Sequence, residues 1–474
     1  MKRILLTRVL STLLFSVFAS LAALTAAEEP IPITDFTPSQ SDGTYYGIIY
    51  PQPEHPAEGE LVMEAQWRIW IPDGVEKLRG VVVHQHGCGM GSCDSGRTGV
   101  YDIQWQELAR EHDCALIAVS YRQNDFECVC WCDPRRGSAK SFLSALEYFA
   151  FVSGHGELTT VPWAIWGHSG GAQWTSCMVQ LYPERIVGAW LRSGHPDTVA
   201  PLFDTLPMSD AVCTVPIMLN LGLNEYTMPI IWDRAWPYFQ TMRSRGVKMG
   251  LIIDPHTHHE TGDSRYPAIR FLDLCLAARL PEPGSGDNTL RDMPGVVLPA
   301  SRVTDQELAV AAVPADADKW QYYSADQRRA FIRDGLWFPS TDFIDCWRKY
   351  SVDTSFEDTT APPAPTDLKL TTTGEETLLT WRCRADLESG LKTFRIWRQK
   401  AESEEWEQIA ELPTAPVINC REVFQGNGYS DTPPEPIPTM TYKIAENIPA
   451  VQMKYAVTAV NTAGLESEKC GLVP

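Results

Sequence analysis

From Glu60 to Leu280 short apolar runs alternate with longer amphipathic stretches, and this alternation limits the fold more than any other feature of the chain. Strands are predicted at Met63–Ile71, Leu78–Val83, Cys114–Tyr121, Val161–Trp166, Ile186–Leu191, Pro216–Leu221 and Val247–Asp254. Helices are predicted over Tyr101–His112, Ser138–Val152, Ala172–Tyr182, Trp232–Arg245 and Tyr266–Leu280. Strands that alternate with helices build βαβ units and a mainly parallel sheet. The runs Val81-Val82-Val83, Leu116-Ile117-Ala118-Val119 and Leu251-Ile252-Ile253 are continuously apolar, as burial on both faces demands. The pattern therefore predicts an α/β fold with helices on both faces of the sheet.

Two breaks divide the rest of the chain. Pro281-Glu282-Pro283-Gly284-Ser285-Gly286 interrupts the alternation, and residues 281–360 read as an extension packed on the α/β part, with one helix around Asp326–Trp337. A Pro-rich linker follows at Thr359–Pro365, stiffened by its polyproline tendency. Beyond it the apolar period becomes two, at Leu378 and Thr380, Phe394 and Ile396, and Tyr455, Val457 and Ala459. Such alternation in residues 361–474 predicts an all-β sandwich.

The start of the chain has the layout of a cleaved secretory signal, residues 1–27. Lys2, Arg3 and Arg8 precede the apolar run Leu13–Leu24, and Thr25-Ala26-Ala27 offers small residues before a cut at Glu28. That run is too short to span a bilayer, and no later one is long enough, so no membrane span is expected in the mature chain. The expected location is secreted or periplasmic. Forty basic residues face sixty acidic ones, a net charge of −20. A surface this acidic repels phosphate backbones and anionic lipid, which excludes nucleic acid as a partner.

Thirteen cysteines in an exported chain point to disulfides. Cys88 and Cys93 share a Gly-rich loop, and Cys128-Val129-Cys130-Trp131-Cys132 form a second cluster. Alternate cysteines on an extended segment point to opposite faces and serve one metal ion poorly, so disulfides stapling the two loops are expected. Cys177, Cys213 and Cys275 fall on apolar faces and read as core residues.

Gly167-His168-Ser169-Gly170-Gly171 is a G-x-S-x-G placed between the strand Val161–Trp166 and the helix from Ala172. Strand, sharp turn and helix are the setting in which glycines let a serine hydroxyl stand above a sheet. Over residues 60–280 the chain resembles the α/β-hydrolase family, so the catalytic domain is expected in residues 28–280. The resemblance implies a serine nucleophile, Ser169, followed along the chain by an acid and then a histidine. His259, after the last strand in Pro255-His256-Thr257-His258-His259-Glu260, takes the place of the base, with His258 and then His256 as alternatives. Glu225, in Gly222-Leu223-Asn224-Glu225, takes the place of the acid, with Asp197 as competitor. The family's H-G-x-G is similar to His86-Gly87-Cys88-Gly89, which implies an oxyanion hole formed by the amides of Cys88 and Gly170. A Cys88–Cys93 bond would stiffen that loop.

His84-Gln85-His86 also permits a zinc reading, with His256, His258 and Asp254 as further ligands. One of the two histidines is already explained by H-G-x-G, so no metal and no cofactor is expected. Trp105, Trp131, Trp163 and Trp174 lie near the expected rim. Of these Trp131 reads as the surface platform for a sugar ring, with Arg122 or Arg192 to bind a carboxylate.

The C-terminal part resembles a fibronectin type III module. The residues that carry this are Ala364-Pro365-Thr366-Asp367-Leu368, Leu379-Thr380-Trp381, Glu388-Ser389-Gly390-Leu391, Phe394–Arg398 and Tyr455–Gly464. Such a module implies a spacer or a surface that docks to glycan or protein. Together the resemblances imply an exported serine esterase acting on an ester substrate, with acetyl or feruloyl groups on polysaccharide as the expected class. A polyester depolymerase, a peptidase, and a non-catalytic adhesion or scaffold protein are the alternatives.

Overall fold

Continuous apolar runs become central strands because both of their faces can be covered. In the computed structural model, nine strands form one sheet: β1 Ile31–Ile33, β2 Gly43–Tyr50, β3 Glu64–Pro72, β4 Gly80–Gln85, β5 Cys114–Arg122, β6 Trp163–His168, β7 Ile186–Arg192, β8 Ile217–Gly222 and β9 Met249–Asp254. Their order is β1-β2-β3-β5-β4-β6-β7-β8-β9. The six strands from β5 to β9 run parallel, and β3, β2 and β1 add an antiparallel edge. The structure describes residues 29–36, 42–89, 92, 96–123, 127–285, 287–310, 314–373, 376–400, 403–413, 431, 438–444 and 453–471. The expected signal segment, residues 1–27, and Cys93 lie outside them.

Helices α1 Ile103–Glu111, α2 Val129–Cys132, α3 Ser138–Ser153, α4 Gly170–Leu181, α5 Pro229–Ser244 and α6 Arg265–Arg279 connect the strands. Local chemistry sets several of their ends. Asp102 caps α1 by accepting the Gln104 N–H at 3.1 Å. Pro229 starts α5, where its missing N–H costs nothing, and Gly154 at φ 82° ends α3.

The parallel register aligns the carboxyl ends of the strands. Gln85 pairs with Gly167, His168 with Arg192, Arg192 with Asn220, and Gly222 with Asp254. The segments after β4, β6, β8 and β9 therefore leave one edge of the sheet together, where open α/β sheets place their sites.

The extension departs from its expected single helix. Gly335, at φ 74°, stops α7 Ala325–Phe331 from running on, and the chain turns into β11 Leu336–Phe338, paired with β10 Val296–Leu298. A further helix, α8 Thr341–Asp353, is capped by Ser340, whose Oγ accepts the Phe343 N–H at 3.1 Å. Phe338, Phe343 and Trp347 are buried in the same core as Trp190 and Phe271, and Trp347 donates to the Leu251 carbonyl of β9 at 2.9 Å.

Six more strands form two antiparallel sheets around one core. β12 Thr366–Thr373, β13 Glu376–Arg382 and β16 Thr441–Ile444 make the first; β14 Thr393–Lys400, β15 Glu407–Pro413 and β17 Met453–Val460 make the second. Leu379, Trp381, Phe394, Ile396 and Val457 fill the space between them. Ile103 of α1 joins this core, Gln104 donates to the Leu387 carbonyl at 3.1 Å, and Arg384 pairs with Glu107 at 3.0 Å. The sandwich is thus docked on α1. Among the described residues no helix is long and apolar enough to cross a membrane.

Candidate functional site

Ser169 occupies the bend between β6 and α4 with φ 54° and ψ −118°. Non-glycine residues avoid this region at a cost of about 1–3 kcal/mol, so the surroundings must hold it there. Its N–H donates to the Arg192 carbonyl at 2.8 Å, and its carbonyl accepts the Gln173 N–H at 3.0 Å. Glycine is required on either side by close approach: a Cβ on Gly167 would strike the Gly171 carbonyl, and one on Gly171 would strike the His86 carbonyl.

The structure brings Ser169, His259 and Glu225 into one hydrogen-bonded line. His259 Nε2 lies 2.8 Å from Ser169 Oγ, and His259 Nδ1 lies 2.7 Å from Glu225 Oε1. An ionised carboxylate only accepts, so Nδ1 carries the proton and Nε2 is left to accept from the hydroxyl. Glu225 is fully buried, and its Oε2 accepts the Gly222 N–H at 2.9 Å. Burial alone would raise its pKa. The hydrogen bond from His259, with the Arg192 guanidinium, outweighs burial and holds it below the ordinary glutamate value. The arrangement can draw a proton from Ser169 Oγ and stabilise the imidazolium that results.

The competing residues point elsewhere. His258 Nε2 is 2.8 Å from Thr227 Oγ1. Asp197 Oδ1 accepts the N–H groups of Leu202 and Phe203 at 2.7 and 2.9 Å and so caps a turn.

The loop carrying His259 is fastened at several points. Asp254 Oδ1 accepts the N–H groups of His256 and Thr257 at 2.9 and 3.1 Å, while Tyr350 of α8 donates to Asp254 Oδ2 at 2.7 Å. His168 Nε2 donates to the His259 carbonyl at 2.7 Å. His168 is the variable residue of G-x-S-x-G, and Tyr350 lies in the extension; neither is singled out by sequence pattern.

On the other side of Ser169, fully buried His86 fixes the Gly87–Cys88 peptide. His86 Nε2 accepts the Tyr121 N–H at 3.1 Å, so Nδ1 bears the proton and donates to the Gly87 carbonyl at 2.5 Å. Burial pushes the His86 pKa down to about 4, which keeps this ring neutral. In a trans peptide the Cys88 N–H points opposite to that carbonyl. A Cβ on Gly87 would sit 3.3 Å from Ser169 Cβ, so this peptide runs beside the serine.

Cys88 is bonded to Cys128, with Cα atoms 5.4 Å apart, so the expected disulfide between the two loops is present, and Cys88 has no bond left for Cys93. Cys132 Sγ lies 2.9 Å from Cys128 Sγ, and these sulfurs pack against Gly170. Cys177 and Cys275 are buried, whereas Cys213 is only half-buried.

The expected substrate contacts need correction. Trp131 is fully buried, stacked 4.9 Å from Tyr121 and donating to Gln123 Oε1 at 2.6 Å, so it has no face to offer a sugar. Packing on Tyr121 and His86 holds it inward. Trp105, Trp163 and Trp174 are fully buried as well. Arg192 is also fully buried, while Arg122 is half-buried at the end of β5, opposite Glu64 of β3 in the strand register.

Four residues of the zinc reading are committed separately. His84 Nε2 bonds Asp431, His86 and Asp254 hold backbone groups, and His258 meets Thr227. Among the described residues the groupings with metal-ligand spacing are Cys88, Cys128 and Cys132, and Asp358, Asp386 and Glu388. The first contains the disulfide.

No family model and no curated protein matches the chain. Among solved structures it is similar to poly(aspartic acid) hydrolase-1 from Sphingomonas sp. KT-1, at 17% identity and a TM-score of 0.34 over 48% of this chain and 97% of that one. A ferulic acid esterase is similar at 13% identity and a TM-score of 0.34, over 50% of this chain and 97% of that one. A twitchin kinase region from C. elegans is similar at 17% identity and a TM-score of 0.17 over 24% of this chain, which spans only 16% of that one. Likenesses this slight carry no conclusion about chemistry.

Proposed function

We propose that the protein is an exported serine hydrolase of the α/β-hydrolase kind, cleaving carboxylic esters through an acyl-enzyme on Ser169. The observation that carries the reading is the Ser169–His259–Glu225 line at 2.8 and 2.7 Å, standing on a strained bend at the carboxyl edge of the sheet. The strand order, with an antiparallel strand before the parallel set and the three residues in the sequence serine, acid, histidine, supports the same reading.

In this mechanism Ser169 Oγ attacks the ester carbonyl as His259 Nε2 takes its proton. The amides of Gly170 and Cys88 stabilise the oxyanion, each by about 3–4 kcal/mol. Collapse of the intermediate breaks the bond to the leaving alkoxide, which receives the proton from His259. Water, deprotonated by His259 in its turn, then attacks the acyl-enzyme and releases the acid. Glu225 keeps the imidazole in the required tautomer throughout.

For the substrate we infer an acetyl or feruloyl ester on polysaccharide, with a polyester as the alternative, and for the sandwich a fibronectin type III-like module. Turnover of p-nitrophenyl acetate, acetylated xylan, a feruloylated glycan and polyester film by wild type and Ser169→Ala tests both levels. Wild type is expected to hydrolyse the small ester, and the variant to lose about 10⁶-fold in kcat. Preference for the glycan esters over the film supports the substrate class, and an active Ser169→Ala contradicts the mechanism.

A further inference from the structure

Arg192, the last residue of β7, touches both halves of the candidate machinery. Its backbone carbonyl accepts the Ser169 N–H at 2.8 Å. Its Nη2 donates to Thr257 Oγ1 at 2.9 Å and to the Glu260 carbonyl, with the His258 carbonyl at 3.5 Å. One residue thus grips the bend through its main chain and, through its side chain, the carbonyls on either side of His259. A guanidinium cannot lose its proton and a carbonyl can only accept, so the direction of these bonds is fixed at any working pH.

A purely structural role explains the side chain poorly. Arg192 is fully buried, and its Nε and Nη1 have no hydrogen-bond partner among the described residues. Buried polar groups left unpaired are costly, and an apolar side chain of similar size would fill the space without that cost. What an apolar residue could not do is donate hydrogen bonds to Thr257 and to the carbonyls on either side of His259. Glu225 gains as well, because the fixed positive charge favours its ionised form.

We propose that Arg192 is a positioning residue that ties the Thr257–Glu260 loop to the serine bend and so fixes His259 in line with Ser169. This rests on the serine hydrolase reading. Its consequence is specific: loss of the clamp impairs the proton transfer and leaves substrate binding alone. Displacing a catalytic group by about 1 Å can cost about 100-fold in rate, and that is the size expected for kcat in Arg192→Met. KM should stay unchanged. Arg192→Lys should recover part of the loss, since a compact ammonium can reach one acceptor but cannot reproduce the planar fork. Thr257→Val, which removes one acceptor and leaves the cation in place, should fall between wild type and Arg192→Met.

The test measures kcat and KM on a chromogenic acetyl ester, the rate of fluorophosphonate labelling of Ser169, and Tm for the full chain and these variants. Falls in kcat and labelling rate in the order Thr257→Val, Arg192→Lys, Arg192→Met, at constant KM, support the clamp. A folded Arg192→Met with wild-type kcat and labelling overturns it. If Arg192→Met does not fold, wild-type kcat in both Arg192→Lys and Thr257→Val overturns it equally. Failure of the underlying reading looks different, because then wild type itself neither turns over nor labels.

Discussion

At the residue scale the arrangement turns on which oxygen and nitrogen atoms can donate. Glu225 offers acceptors only, so it dictates that His259 presents a bare Nε2 to Ser169. Glu225→Gln retains size but can turn an amide N–H toward Nδ1, which favours the wrong tautomer. We expect kcat to fall by about 10⁴-fold with little change in Tm, by analogy with the aspartate-to-asparagine exchange in a serine protease triad. His258→Ala, beside the base but bonded to Thr227, should keep near wild-type kcat. Steady-state kinetics of the two variants decide which of the neighbouring histidines serves Ser169.

At the element scale, the loop after β4 and helix α2 are joined by the Cys88–Cys128 bond across a sequence separation of 40. In the chain-entropy description a loop of that length is worth about 3–4.7 kcal/mol, and native disulfides typically give 2–4. Replacing both cysteines, Cys88→Ser with Cys128→Ser, should lower unfolding stability by about 2–4 kcal/mol relative to wild type in chemical denaturation. It should also reduce kcat, because the peptide that offers the Cys88 amide loses its tether. The sequence carried much of this scale. The seven strand runs and five helices between Met63 and Leu280 were readable because period and burial agree there. β1 and β2 were not, since Gly43-Thr44-Tyr45-Tyr46-Gly47 has no clean alternation and takes its place by pairing with β3. The partner of Cys88 was not readable either, because disulfide connectivity depends on which loops meet in space. The burial of Trp131 likewise follows from its packing on Tyr121 and His86, contacts between loops far apart in sequence.

At the scale of the whole molecule, a residue from the C-terminal part of the sequence reaches into the α/β core. Asp431 is fully buried against the α/β part, bonded to His84 Nε2, accepting from Trp105 Nε1 at 2.9 Å, with its carbonyl taking Arg265 Nη2 at 2.5 Å. Arg265 also holds Asp102, the cap of α1, at 2.6 Å. Removing one partner of such a buried charged network costs about 3–5 kcal/mol, which is the loss expected for Asp431→Ala at neutral pH. The sign with pH is set by the shift of Asp431. Burial would raise its pKa, but the charges of His84 and Arg265 outweigh burial and hold it below the usual carboxylate value. Its contribution is therefore present above the unfolded value of about 3.9 and fades as pH falls through the lower folded one. Denaturation curves should show wild type and Asp431→Ala converging in acid. A constant gap would mean that the carboxylate charge is not what matters. None of this coupling was visible in sequence, because Asp431 stands 347 positions from His84 with no motif around it.

The proposed chemistry stands or falls with Ser169 as a nucleophile activated by His259. Intact-mass and peptide-mapping analysis after treatment with a fluorophosphonate tests it most directly. The predicted result is one adduct per chain, on Ser169, formed far more slowly in His259→Ala. A folded wild-type protein that stays unlabelled, or carries its adduct on another residue, would contradict it.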